Sequence, residues 1–331
     1  MKKRFLALNI LFFTVVGCLS PEKKSENQLP DELKANWTAA PNIDVDKINS
    51  DLVDGKKTID VGIYFPSNFD QNFEKVTLDK MMASFKAAKE IYAPTDVQLN
   101  LLWVKTGPIN PDYFSIESNK VPTVPRTEYA NMYVHSKRHP SVPTQRTLDA
   151  FNHIIEPHKD NSRTIYLVVL QEVFYPFLAV AEGRNWMTKA VRTGGMSFPT
   201  YSFVNTLPKR FRGVMTITNL SRPDRLRSTI AHEIGHKAMN VSHEYMDTDP
   251  ENEIFAEGGL MLYGAGEEIP SGEAGRWHLE RLHLSPFIYR LNSDGQKIWN
   301  EDYREGGHYY DPIYGDKVRY FDSKPPIKED W

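Results

Sequence analysis

The sequence predicts a domain of the α/β (α+β) class with a mixed, twisted sheet. Three observations carry that reading. A strand, a helix and a second strand follow one another between residues 59 and 103. Two further apolar runs, TIYLVVLQEV and GVMTIT, have the length and composition of buried strands. The second of these leads into a stretch with helical spacing. In TIDVGIYFP, Ile59, Val61, Ile63 and Phe65 alternate with other residues, the pattern of a half-buried strand. Leu78, Met81, Met82, Phe85 and Tyr92 then recur at helical spacing until Pro94 stops the helix. VQLNLLWV is a second strand, with Val97, Leu99, Leu101 and Trp103 on one face and Gln98 and Asn100 on the other. This order predicts a right-handed crossover and a partly parallel sheet.

Residues 106 to 146 carry Pro108, Pro111, Pro122, Pro125, Pro140 and Pro143, which exclude a long helix and disfavour a central strand, so an irregular loop is expected. His135 and His139 have the spacing of a ligand pair, but those prolines leave no helix to present them together. A short helix near TLDAFNHIIEP precedes TIYLVVLQEV. After GVMTIT, residues 213 to 218, a helix is expected to begin near Ser221 and Pro223, a capping residue and a first-turn proline. Leu226, Ile230, Ile234 and Ala238 step along its core face, while Arg225, Thr229, His232 and His236 step along another.

Composition sets bounds on function. The 331 residues are 40% hydrophobic and 25% charged, an ordinary globular balance able to bury a core. A net charge of −3 gives no sign of a nucleic-acid partner. The one cysteine, Cys18, leaves the body of the chain without a disulfide, a catalytic thiol or a thiolate ligand, so any metal site must use His, Asp, Glu or Tyr. Lys2, Lys3 and Arg4 precede an apolar run that ends in VVGC, a secretory signal too short to span a bilayer comfortably. That ending resembles the lipobox of bacterial lipoproteins, which implies residues 1–18 as a signal peptide, lipidation of Cys18, and an extracytoplasmic protein anchored in a bacterial cell envelope. Residues 19–56 are polar and aperiodic and are expected to be a tether.

The segment AHEIGHKAMNVSHEY carries the chemistry. Imidazoles four apart on a helix can converge on one zinc ion, and Glu233 projects beside His232 and His236, positioned to move a proton to and from water. This HExxH resembles that of the zinc metallopeptidases, and NVSH, Asn240 to His243, resembles the ending of the extended metzincin motif. There a glycine closes the helix and a third histidine follows it by three residues. Asn240 takes the place of the glycine, as the non-glycine residue most at ease in a left-handed turn, and one extra residue separates it from His236. GGLMLYGAG, residues 258–266, resembles the metzincin Met-turn.

The resemblance implies His232, His236 and His243 as ligands of one catalytic Zn2+ and Glu233 as general base and acid. It also implies Met261 packed beneath the site, Tyr263 near the developing oxyanion, and a peptide or protein substrate. SGEAGRWHLERLHL, capped by Ser271 and ended before Pro286, stands where the C-terminal helix would follow. His278 and His283, five apart, share no helix face and are expected to be structural. The resemblance spans a catalytic domain at 57–292, leaving 293–331 as an extension packed on it. Arg210, Arg212, Arg222, Arg225 and Arg227 cluster around the zinc helix, a solvated face or a preference for acidic substrates. Two alternatives remain at this point. A gluzincin-type site would take its third ligand from Glu253 or Glu257, and a surface binding lipoprotein would keep the fold without turnover.

Overall fold

A computed structural model describes residues 34–70, 72–120, 141–180, 186–199, 203, 206–219, 226–240, 259–262 and 266–300. In chain order its regular elements begin with β1 (Thr38–Ala39), α1 (Val45–Ile48), β2 (Lys57–Pro66), α2 (Leu78–Tyr92), β3 (Val97–Gly107), β4 (Ser115–Lys120) and β5 (Ser141–Pro143). They continue with α3 (Gln145–Ile154), β6 (Ile165–Leu170), β7 (Glu172–Val180), β8 (Trp186–Arg192), β9 (Gly195–Ser197) and β10 (Val214–Thr218). The last are α4 (Leu226–Met239), α5 (Arg276–His283), β11 (Ile288–Leu291) and β12 (Lys297–Trp299).

The main sheet runs β1-β3-β2-β6-β10-β9, and a smaller one runs β5-β4-β7-β8. β3, β2, β6 and β10 are parallel, whereas β1 and β9 close the two edges antiparallel. The mixed α/β class and the parallel β2-α2-β3 unit agree with the sequence reading.

Apolar side chains fill both faces of this sheet. Ile59, Val61 and Ile63 of β2 and Leu167 and Val169 of β6 pack with α2 and α4 on one side. Tyr64, Tyr166, Val168 and Leu170 pack on the other side with Phe151 of α3, and with Ile116 and Val173 of the small sheet. The expectation that β2 is half-buried is therefore corrected: a second layer covers the face that carries Asp60 and Tyr64, and both are fully buried.

Trp103 also departs from its expected face. Val61 pairs with Leu101 but Gly62 pairs with Trp103, so Leu102 is an extra residue in β3. Such a bulge moves every following side chain to the opposite face. Trp103 consequently lies over Gly62, where a Cβ would come within 2.5 Å of the indole, and packs with the Tyr64 and Tyr166 cluster.

Other boundaries shift for similar reasons. TIYLVVLQEV is two strands in two sheets, broken at Gln171. The expected irregular loop at 106–146 contains β4 and β5, since SIESNK has no proline and its backbone is free to pair on both sides. The tether proposed for 19–56 does not extend through residues 34–56: β1 pairs with β3, Ala40 is buried, and Ile43, Val45 and Ile48 pack on the core. The C-terminal helix begins at Arg276 with Gly275 as its N-cap, because Gly272–Gly275 form a separate 3-10 turn after Ser271. The boundary at 292 falls inside the β11–β12 hairpin, whose first strand pairs with β2 beyond the start of β6. The expected helix start at Ser221 and Pro223, and residues 301–331, lie outside the described residues.

Candidate metal centre

α4 runs from Leu226 to Met239 and carries the HEIGH segment. Leu226, Ile230, Ile234 and Ala238 are buried in the core, as their four-residue spacing requires. Two contacts fix the helix to α2: the Tyr92 hydroxyl donates to the Ala231 carbonyl at 2.9 Å, and the Ser84 hydroxyl donates to the Leu226 carbonyl. Gly235 occupies the helix interior, where glycine costs about 0.8–1 kcal/mol against alanine. A close approach explains it. A Cβ at Gly235 would stand 2.5 Å from the Met261 sulfur and 2.9 Å from Cε of Met239.

Met261 comes from a tight turn in which the Leu262 amide donates to the Gly259 carbonyl at 3.1 Å. Gly259 has φ +125°, a conformation closed to other residues, and a Cβ there would also strike the buried His278 ring. The same turn offers the Leu260 carbonyl 2.6 Å from Nδ1 of His232. A ring nitrogen that donates to a backbone carbonyl fixes the tautomer and leaves Nε2 with its lone pair, the arrangement a metal-binding histidine needs. Burial lowers the His232 pKa, opposed by that hydrogen bond, so the ring is kept neutral. The His232 and His236 rings lie 4.7 Å apart, centroid to centroid, and nearly perpendicular.

Glu233 is 6% exposed. Burial pushes its carboxyl up to about 7, and the shift is limited by hydrogen bonds from Ser197 and by the nearby Lys237 ammonium. The Ser197 hydroxyl lies 2.8 Å from Oε2 and 2.8 Å from the Glu233 carbonyl oxygen. Lys237, itself buried, donates to the Phe198 carbonyl at 2.6 Å. α4 ends at Asn240 with φ +52°, the left-handed conformation expected of it.

Of the expected site residues, the structure sets the His232 and His236 rings side by side and packs Met261 against the same helix at Gly235, while the Glu233 carboxylate, one residue along from His232, lies against β9. His243, Tyr263, Cys18, Glu253 and Glu257 lie outside the described residues, as do His135 and His139. Among the described residues no three His, Cys, Asp or Glu side chains form a metal-binding group, and no helix is long and apolar enough to cross a membrane. The paired His232 and His236 rings, with His232 oriented through Nδ1, are nitrogen donors of the kind zinc takes. The arginines do not form one face: Arg212 is buried, Arg210 stacks on Phe211, and Arg227 is exposed, with Arg222 and Arg225 outside the described residues.

Sequence reasoning missed Gly195, Ser197, Tyr92, Lys237 and the Leu260 carbonyl. Only Gly235, an unexplained glycine inside a helix, carried a signal that something approaches α4 closely. No known protein-family model matches the chain, and comparison with curated proteins finds no match.

Proposed function

We propose that the chain is a zinc-dependent endopeptidase of the metzincin kind, held extracytoplasmically in a bacterial cell envelope by a lipid on Cys18. The observation that carries the reading is the joint environment of α4. His232 is oriented through Nδ1 by Leu260 beside Met261, and Glu233 is withdrawn from water with its carboxyl raised to about 7. A carboxyl balanced near neutrality can both accept and return a proton, whereas an ordinary exposed glutamate is a poor acid. Surface binding alone needs no such group.

In this reading His232 and His236, with His243, hold one zinc ion, which supplies a Lewis acid for water and for the scissile carbonyl. Glu233 takes the proton from the attacking water and delivers it to the departing amide nitrogen. Met261 packs under α4 and limits movement of the histidine pair. Tyr263 donates a hydrogen bond to the oxyanion that develops on the substrate. The substrate is a peptide or protein.

The test uses the full-length lipidated protein in detergent. Metal analysis should find one zinc per chain, and digestion of a broad peptide library should stop on chelation and return when zinc is restored. Zinc-loaded wild type that cleaves nothing in the library would exclude the peptidase reading in favour of a binding lipoprotein.

A further inference from the structure

β9 and Phe198 just after it meet α4 at three points, two of them at Glu233. The Ser197 hydroxyl reaches Oε2 and the Glu233 carbonyl oxygen, both at 2.8 Å. Gly195 faces the other carboxylate oxygen, so that a Cβ there would stand 2.7 Å from Oε1. The Phe198 carbonyl accepts from Lys237 one turn further along the helix. β9 is itself fixed by pairing with β10, Met215 opposite Ser197 and Ile217 opposite Gly195. The strand is thus a rigid rail that contacts the carboxylate on both oxygens.

We infer that Ser197 is a positioning residue for Glu233: its hydroxyl holds Oε2 against β9, and Oε1, beside the room left by Gly195, is the oxygen that exchanges the proton. The inference rests on the peptidase reading above. A glutamate has three rotatable side-chain bonds, and without a donor on one oxygen its carboxylate sweeps through several positions. Ser197 is buried, its hydroxyl stands 2.8 Å from both Oε2 and the Glu233 carbonyl oxygen, and its backbone amide adds a hydrogen bond to the carboxyl, so Ser197 is a preset donor that needs no reorganisation. With Oε2 occupied, the water proton passes to Oε1 and from Oε1 to the leaving nitrogen, and Ser197 keeps its own proton throughout. Displacing a catalytic group by about 1 Å can cost on the order of 100-fold in rate.

Three variants test this in the full-length zinc-loaded protein. Ser197→Ala should lower kcat by roughly 10- to 100-fold with KM within about twofold and zinc content unchanged. Ser197→Thr keeps the hydroxyl at a strand position that suits a branched residue and should recover most of the rate. Gly195→Ala removes no hydrogen-bonding group yet must push Oε1 aside, so it should also lower kcat while retaining zinc. A crystal structure of metal-free Ser197→Ala gives a readout apart from turnover: the Glu233 carboxylate should leave β9, and in Ser197→Thr it should stay. Wild-type kcat in Ser197→Ala, or equal loss in Ala and Thr variants, overturns the role. A carboxylate unmoved in the metal-free Ser197→Ala structure overturns the positioning itself, whatever the activity. Wild type without any cleavage instead removes the peptidase reading, and with it the proton-exchange role of Oε1.

Discussion

Asp60 and Glu233 are both carboxylates withdrawn from water, yet they keep different company. Asp60, in the middle of β2, accepts from Asn100 and from the Tyr289 hydroxyl, each at 2.8 Å, and pairs with the Lys297 ammonium. Lys297 also meets Asp160 at 2.8 Å; burial works against its charge, but the two aspartates outweigh that and raise its pKa. Glu233 is hydrogen-bonded by Ser197 through both its hydroxyl and its backbone amide, while the nearby Lys237 ammonium donates to the Phe198 carbonyl. The first arrangement ties four segments together, β2, β3, the β11–β12 hairpin and the turn before β6. The second leaves a proton in play, with the carboxyl at about 7. The Asp60 cluster balances its charge with a cation and two donors, whereas the Glu233 carboxyl has only neutral donors from Ser197 against its burial and is raised toward neutrality, the condition the proposed proton transfer requires.

Mutation should separate the two sharply. Glu233→Ala should keep its zinc and fold but lose roughly 10²- to 10⁴-fold in kcat, the span of general acid–base catalysis. Zinc analysis beside a fluorogenic peptide assay checks it, and retained turnover would remove the distinction altogether. Asp60→Ala leaves Lys297 against Asp160 with its main partner gone, which should cost about 2–4 kcal/mol of stability in urea unfolding, since breaking a buried pair is expensive. Its kcat per folded molecule should match wild type. A fall in kcat with unchanged stability would show that Asp60 belongs to the site after all.

The sequence made one of these carboxylates visible and hid the other. Glu233 stands between two histidines at a spacing that has a chemical reason, so the sequence singled out His232, Glu233, His236 and Met261 as candidates. Asp60 looked like the solvent side of an alternating strand, because nothing in TIDVGIYFP announces the layer that covers its other face. Trp103 was misread because a bulge at Leu102 changes the two-residue period, and a single inserted residue leaves no mark in composition. Ser197 was invisible for a different reason. It is brought to Glu233 by a pairing between β9 and β10, and only the glycines before it hinted at a break in the chain.

His278 extends the comparison to a buried base. It lies on α5 against the Gly259 turn, fully buried, and burial lowers its pKa to about 4. The unfolded chain, with a histidine pKa near 6.5, therefore takes up a proton on acidification before the folded state does, so stability falls as pH drops below about 6.5. The slope is about 1.4 kcal/mol per pH unit, which amounts to about 2 kcal/mol lost by pH 5. The difference between wild type and His278→Leu, measured by urea unfolding at pH 7 and pH 5, isolates this group. If both proteins lose the same stability over that interval, His278 is not held neutral by the fold, and burial alone does not poise a group in this molecule.

The smallest effect concerns the point where α4 ends. Asn240 has φ +52°, and in that region a residue with a Cβ is strained by about 1–2 kcal/mol, less for asparagine and not at all for glycine. Asn240→Ala and Asn240→Gly both remove the asparagine side chain and whatever it contacts. Their difference therefore reports the backbone alone: the alanine variant should be less stable than the glycine variant by on the order of 1 kcal/mol, after the extra freedom of glycine in the unfolded chain is allowed for. In the proposed site the third ligand, His243, follows Asn240 by three residues, so on that reading zinc affinity should fall further in Asn240→Ala than in Asn240→Gly, whereas Asp60→Ala should leave it unchanged. Urea midpoints and zinc competition titrations on the three variants give both quantities. Equal stability of the alanine and glycine variants would mean that no left-handed turn forms at 240 in solution, and the proposal that Asn240 takes the place of the motif's glycine would fall with it.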